Sequence, residues 1–320
     1  MTPAPSTIEE ARRASGEFRA GGTDLQQRLR SGVSSGPPVD LGLLPDLERV
    51  EWNEDGAVRI GAMVPLATLA SDTRLGAAYP GLAQAAAALA TPQIRVAGTL
   101  GGNLLQRNRC WYYRHPSISC LKKGGDDCPA RSGNHLLGVC FDLGPCVAPH
   151  PSTLGMALLA YGAGVGDTSG DVRPVAALYG DGTDGRHDHQ LGEHEILTAV
   201  HMPPALEDER AAYFRATSRA LAEWPLVEAV VRLVVTGETI EFAAIAVGGV
   251  APVPLRLERV EHALTGRPTK PEALERAASL SALGASPLPM TRYKLELLPG
   301  TVRETLERAL GGPGADRESR

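Results

Sequence analysis

A chain of 320 residues with 32 basic and 37 acidic side chains carries a formal charge of -5, which gives no electrostatic case for a nucleic-acid partner. A hydrophobic fraction of 43% supports a packed core, while Gly 36 and Pro 25, without a three-residue period, argue for many turns rather than a helical bundle. No apolar run reaches the length of a membrane helix, the opening MTPAPSTIEEARRASG lacks a signal-peptide core, and five cysteines are too few for a secreted disulfide scaffold of this size.

In chain order, Ser6 and Glu9 stand in capping-box register for a short helix ending near residue 16. Residues 17–20 read as a strand, Gly21-Gly22-Thr23-Asp24 as a tight turn, and 25–30 as a helix stopped by Gly32. Short strands follow at 39–41, 47–51 and 57–62, and Pro80 opens an alanine-rich helix to about residue 90. Thr99-Leu100-Gly101-Gly102-Asn103 reads as a second glycine turn, and Ser152 as the N-cap of a helix ending at Gly162. Residues 164–189 are weakly patterned and read as a surface segment. A strand at 195–202 stops at Pro203-Pro204, the expected domain boundary. Strands at 226–235 and 239–247 precede helices at 255–264, 271–283 and 301–310, the last with Thr301 and Glu304 in capping-box register.

Neither glycine turn is a dinucleotide fingerprint or a P-loop, but consecutive glycines let backbone N–H groups approach an anion. By composition alone they are ordinary tight turns or two halves of one pyrophosphate site. Six stretches then carry a resemblance: 18–25 (FRAGGTDL), 91–95 (TPQIR), 98–104 (GTLGGNL), 195–197 (EIL), 213–219 (YFRATSR) and 246–252 (AVGGVAP). In this order, over nearly the whole chain, they resemble the FAD-binding medium subunit of molybdenum hydroxylases, the xanthine dehydrogenase and aldehyde oxidoreductase family.

The resemblance implies an α+β fold: a vanillyl-alcohol-oxidase (PCMH)-type FAD-binding domain in two subdomains, 1–54 and 55–204, and a C-terminal α+β domain of the CO dehydrogenase flavoprotein type at 205–315, with 316–320 a frayed tail. It implies FAD held non-covalently, with Phe18, Arg19, Ala20, Gly21, Gly22, Thr23, Asp24 and Leu25, and Thr99, Leu100, Gly101, Gly102 and Asn103, around the pyrophosphate, mostly through backbone N–H groups. Leu89 and Leu197 fall at apolar neighbours of the cofactor. Arg215 stands where the family has a lysine near the isoalloxazine, a change of geometry at constant charge. The chain departs from the family in lacking the opening strand, in reading Ser218-Arg219-Ala220-Leu221 beside the acceptor channel, and in carrying the cysteine insertion where the family's acidic FAD contact falls, so that no residue is assigned to it.

All five cysteines lie between Cys110 and Cys146, with 9, 7, 11 and 5 residues between them and no C-x-x-C. By spacing alone an iron–sulfur cluster, a zinc site with His115, His135 or His150, and plain structural or free cysteines all remain open. Within the family, the insertion at 105–150 resembles the [4Fe–4S] loop of periplasmic-type aldehyde oxidoreductases, which implies Cys110, Cys120, Cys128 and Cys146 as ligands and Cys140 as the spare. The basic residues around it (Arg107, Arg109, Arg114, Lys122, Lys123, Arg131) read as solvated positions or as offsets to cluster charge.

By the same resemblance the chain carries electrons and does no acid–base catalysis, so no catalytic residue is nominated and His150 reads as structural. Its expected partners are a large molybdopterin subunit, a small subunit with [2Fe–2S] clusters, and a small-molecule or protein acceptor, in a heterotrimer acting on aldehydes. A self-contained flavin oxidase or reductase, or a non-catalytic cluster-binding subunit, are the alternatives. The missing signal favours the cytoplasm, with the periplasm open through co-export on a partner's signal.

Overall fold

The computed structural model describes residues 4–220 and 222–311; Leu221 and the expected tail at 316–320 lie outside the described residues. The first helix, Ile8–Arg13, is capped by Thr7, whose hydroxyl accepts the N–H of Glu10. Glu10 reaches back to the N–H and hydroxyl of Ser6, so the capping box sits one residue later than its expected Ser6–Glu9 register. Strand β1 (Phe18–Arg19) pairs in parallel with β2 (Val39–Asp40) over a small core of Ala11, Val39, Leu41, Leu44 and Leu47.

The central sheet runs β3 (Val50–Trp52), β4 (Val58–Gly61), β7 (Leu197–Met202), β5 (Gly164–Asp167) and β6 (Val172–Pro174), every neighbouring pair antiparallel. The strand expected at 47–51 begins only at Val50, after a 3-10 turn over Pro45–Glu48. Residues 164–189 face solvent over much of their length, as expected, but they also supply β5, β6 and the helix Val175–Tyr179. Glycines hide that strand in the sequence, and packing demands them. A Cβ on Gly164 would stand 2.7 Å from Val172 and one on Gly166 3.0 Å from His201.

Four helices, Leu66–Ser71, Thr73–Ala78, Pro80–Ala88 and Pro92–Ala97, precede the helix Leu100–Leu104; the sequence reading anticipates only the third. The helix Thr153–Tyr161 starts and stops as expected, with the Ser152 hydroxyl accepting from the Gly155 N–H and Gly162 in the left-handed region at φ 64°. It is apolar all round because it is buried nearly all round, against the strands Val227–Thr236 and Thr239–Gly248 of the C-terminal sheet and the helices Pro80–Ala88 and Leu100–Leu104.

The C-terminal sheet is the antiparallel run β8 (Glu209–Ala216), β9 (Val227–Thr236), β10 (Thr239–Gly248), β11 (Leu255–Arg256), with β12 (Arg267–Pro268) also on β10. The helices Glu258–Leu264, Pro271–Ser279 and Lys294–Gly311 pack against it around Val231, Leu233, Ile245, Leu298, Val302 and Leu306. The last helix starts at Lys294, well before the expected 301. Thr301 therefore lies mid-helix with its hydroxyl donating to the Leu297 carbonyl, and no capping box forms with Glu304. β7 ends at Met202 and β8 begins at Glu209, so Pro203-Pro204 falls in the connection between the two sheets.

Candidate functional site

The first glycine turn follows β1 directly. A Cβ on Gly21 would stand 1.7 Å from the carbonyl oxygen of Ala97, so glycine here lets the turn lie against residues 97–98. Gly22 has φ 71° and nothing nearer than the Arg19 methylenes at 3.6 Å. Among the described residues the N–H groups of Gly21, Gly22 and Thr23 have no partner within the chain. They are free to donate to a ligand.

The second stretch behaves differently. It is no turn but the short helix Leu100–Leu104, capped by the Thr99 hydroxyl, which accepts from the Gly102 N–H. The N–H groups of Leu100, Gly101 and Asn103 donate to the carbonyls of Val64, Ala62 and Thr99. Its donors are committed, so it offers a close wall rather than the anion-binding amides expected of it. The Asn103 amide oxygen likewise accepts from Ser152 Oγ at 2.8 Å and fastens the central helix. Gly101 faces the sheet: a Cβ there would meet Ala62 Cβ at 2.8 Å, not a ligand.

Between these walls runs a cleft of adjoining cavities that meet at Thr23. One, of about 110 Å³, lies among the first turn, Leu41, Leu47, Met63, Ile196 and Leu197. Another, of about 240 Å³, lies among Leu89, Ala90, Thr91, Gly102, Arg215 and Trp224. All the residues expected at the cofactor line this cleft except Leu100, which is wholly buried in the core. Ala90 adopts φ 47°, a conformation costly for a residue with a Cβ, at the edge of the second cavity. Two arginines hold that turn: Arg215 donates to the Ala88 carbonyl at 2.6 Å and Arg95 to the Leu89 carbonyl at 2.7 Å. The Nε of Arg215 is buried without a partner among the described residues. Arg95 belongs to a stretch legible in the sequence, but its clamp on residues 89–90 is visible only in three dimensions.

Asp24 lines the cleft, but its carboxylate is already taken. Its carboxylate pairs with Arg28 at 3.1 Å, Arg109 at 3.2 Å and Arg114 at 2.8 Å, and accepts the N–H of Arg107. Burial opposes its ionisation, yet Arg109 and Arg114 hold its pKa below the ordinary value. Asp188, absent from any sequence expectation, does the same work from the other side. It pairs with Arg107 at 2.8 Å and Lys122 at 2.9 Å, and although burial works against it these cations keep its pKa near about 2. Lys123 donates to the Tyr112 carbonyl and Arg131 pairs with Asp142. The basic residues of the cysteine block are thus half-exposed but engaged: Arg107, Arg109, Arg114 and Lys122 tie the excursion to Asp24 and Asp188, while Lys123 and Arg131 brace it internally.

Inside that excursion Cys146 packs with Leu121 and Ala148, and Cys110 and Cys128 lie against the same cluster. Cys128 and Cys146 interact directly, which holds the thiol of the first below its ordinary pKa and pushes that of the second up. Burial, then the neighbouring Cys128 and Cys120, raise that of Cys110. Cys140 stands apart, fully buried in the core of the C-terminal sheet, where burial pushes its pKa up to about 11. No three His, Cys, Asp or Glu side chains among the described residues converge on a single ion.

Two histidines beside the block are held neutral by burial. His150 is pushed down to about 3, and its ring packs edge-on to Tyr179 with centroids 4.1 Å apart. His189 is pushed down to about 4 by burial and then by Arg107. Both folded values lie below the unfolded value of about 6.5, so below that pH the unfolded chain binds protons the folded chain refuses. Stability is therefore full above about pH 6.5 and falls as the pH drops toward the folded values, by roughly 2 kcal/mol per histidine at pH 5. Denaturant titrations at pH 8 and pH 5 check this, and His189→Gln should remove about half of the difference. Equal stability at the two pH values would contradict it.

Residues 5–205 match the family described as FAD binding domain in molybdopterin dehydrogenase, and residues 212–309 the CO dehydrogenase flavoprotein C-terminal domain. The chain is 28% identical over 319 residues to the aldehyde oxidoreductase FAD-binding subunit PaoB of Escherichia coli (strain K12), covering 96% of each. It is 24% identical to the carbon monoxide dehydrogenase medium chain of Hydrogenophaga pseudoflava, covering 87% of this chain and 81% of that one. Among solved structures its fold is similar to a chain of carbon monoxide dehydrogenase from Hydrogenophaga pseudoflava (TM-score 0.73, 22% identity, 96% of each chain). It is also similar to one of quinoline 2-oxidoreductase from Pseudomonas putida 86 (TM-score 0.74, 20% identity, 96% of each).

Proposed function

The chain belongs to the family of FAD-binding domains in molybdopterin dehydrogenases, and from that premise we propose that it is the FAD and [4Fe–4S] subunit of a heterotrimeric molybdenum-dependent aldehyde oxidoreductase. The observation that carries this reading is the cleft itself: Gly21, Gly22 and Thr23, whose N–H groups have no partner among the described residues, line one cavity together with Thr99 and Gly102, and a second adjoins it. Bound FAD would supply a two-electron carrier between the partner's [2Fe–2S] clusters and an external acceptor. The amides of the first turn bind the pyrophosphate and the small side chains of the second stretch let it approach. Leu25, Leu41, Leu47 and Leu197 exclude water from one end. At the other, Arg215 sets a permanent positive charge and Leu89 and Ala90 form the floor. Cys110, Cys120, Cys128 and Cys146 would hold the cluster, since four thiolates in one pocket select iron and sulfide.

The domain boundaries at 54 and 204 and the insertion at 105–150 belong to this proposal. So does the compartment: no helix among the described residues is long and apolar enough to cross a membrane, and the chain enters the cytoplasm or, carried by a partner's signal, the periplasm. Purification from the native locus tests the whole. Two partners should copurify, one with molybdopterin and one with [2Fe–2S] clusters, and acid should release one FAD per copy of this chain into solution. Oxidation of an aldehyde by this chain alone, without molybdenum, would overturn the reading.

A further inference from the structure

Beside the cleft lies a cavity that borders the cysteine block at Cys110 and Ala148 and to which the reading above assigns no occupant. It measures about 200 Å³, less than the roughly 300–1,000 Å³ of pockets for drug-sized ligands, so it takes a molecule of one or two rings. Its walls are mainly apolar and aromatic, with Trp111, Tyr112, Leu137, Leu226 and Trp224 among them. Arg109, Asn134 and His135 add polar atoms toward its rim, and the buried polar groups on it are fixed. Lys294, 1% exposed, donates to the Gly249 carbonyl at 2.6 Å, which uses one of the three donors of its ammonium. Glu228, 2% exposed, accepts from Thr153 Oγ1 at 2.8 Å and from the Tyr213 hydroxyl at 2.7 Å. His150 lines the cavity as well, with its Nε2 buried and unpartnered among the described residues. Arg109, Trp224 and Pro225 line both this cavity and the part of the cleft that holds Arg215. The two spaces share a wall.

We propose that this cavity binds a quinone of one or two rings as the acceptor that reoxidises the flavin, an inference that rests on the FAD reading above. A flat, uncharged ring suits the indole and phenol walls, and a quinone carbonyl can accept from the remaining donors of Lys294. The exchange balances: the dihydroflavin loses two electrons and two protons, and the quinone gains both, each carbonyl oxygen becoming a hydroxyl of the quinol. A nicotinamide dinucleotide is the competing acceptor, and its size and pyrophosphate charge fit this small, largely apolar space poorly.

The test uses the purified complex with menadione as probe, after its flavin content has been measured. Menadione should bind saturably in equilibrium dialysis and reoxidise the dithionite-reduced flavin in stopped flow. Trp111→Ala and Lys294→Met should each weaken that binding at least about tenfold, a change worth about 1.4 kcal/mol, at unchanged flavin and iron content. Trp111 is 63% exposed, so its variant folds even where Lys294→Met does not. Absent saturation, wild-type affinity in Trp111→Ala, or oxidation by NAD⁺ in place of menadione would each overturn the proposal. A wild-type complex without flavin would instead sink the reading it rests on.

Discussion

Cys110→Ser, Cys120→Ser, Cys128→Ser and Cys146→Ser should each strip or degrade the cluster, while Cys140→Ser should keep full iron and sulfide. A hydroxyl is a poor iron ligand beside a thiolate, and a cuboid with one corner unheld loses its metal. The asymmetry among the five follows from where they stand. Cys110, Cys128 and Cys146 lie against one small cluster with Leu121 and Ala148, and Cys120 is near enough to act on Cys110. Cys140 is locked in another core, its N–H donating to the Val250 carbonyl. Iron and acid-labile sulfide on the five purified variants decide the matter. Loss of iron in Cys140→Ser with retention in Cys146→Ser would reverse the assignment, and stoichiometric zinc in the wild type would replace the cluster altogether.

Gly21→Val should yield a protein with no retained flavin. The first Cβ already overlaps the Ala97 carbonyl oxygen at 1.7 Å, and backbone on both sides leaves nothing flexible to yield. The turn that presents the free N–H groups must then swing away from residues 97–98 and open the cleft. Even Gly21→Ala should weaken FAD at least about tenfold, or about 1.4 kcal/mol, within the usual cost of overpacking. Gly101→Val should also lose flavin, but by pushing the helix Leu100–Leu104 off Ala62 rather than by filling the space of a phosphate. Gly300→Ala is the contrast. Exposed in the last helix with nothing within 4 Å, it should keep its FAD and gain up to about 1 kcal/mol in stability. Flavin absorbance per chain after gel filtration, with FAD titration of the apoprotein, reads all four. A flavin-replete Gly21→Val would refute the role assigned to the turn.

Where the information is local, the sequence discloses it. Ser152 and Gly162 delimit a helix because a cap and a left-handed glycine act on their own neighbours. Gly21-Gly22 marks a turn for the same reason, and its chemistry, free amides near an anion, is a property of those residues. The β5 strand is illegible because its glycines erase the alternation that identifies a half-buried strand, and they are there for a fit to Val172 and His201 that no local rule contains. β8 escapes notice similarly: its charged ends, Glu209 and Arg215, find partners in Arg232 and in the Ala88 carbonyl only after folding.

The sequence by itself determined the residue types at the site: consecutive glycines for backbone approach, an arginine at 215, and five cysteines in one excursion. Tertiary structure alone decided which of them are available. It committed the N–H groups of residues 100–103 to Val64, Ala62 and Thr99 and left those of residues 21–23 free, although both stretches look alike in one dimension. It gave Asp24 to the arginines of the cysteine block, more than 80 residues away, and drew Asp188 to Arg107 and Lys122. It also buried Cys140 apart from the other four. The physical reason is common to these cases. A donor is spent or free, a charge paired or exposed, a thiol grouped or alone, according to atoms brought beside it from distant parts of the chain. Local sequence sets what a residue can offer, and the packed neighbours set whether the offer is already taken.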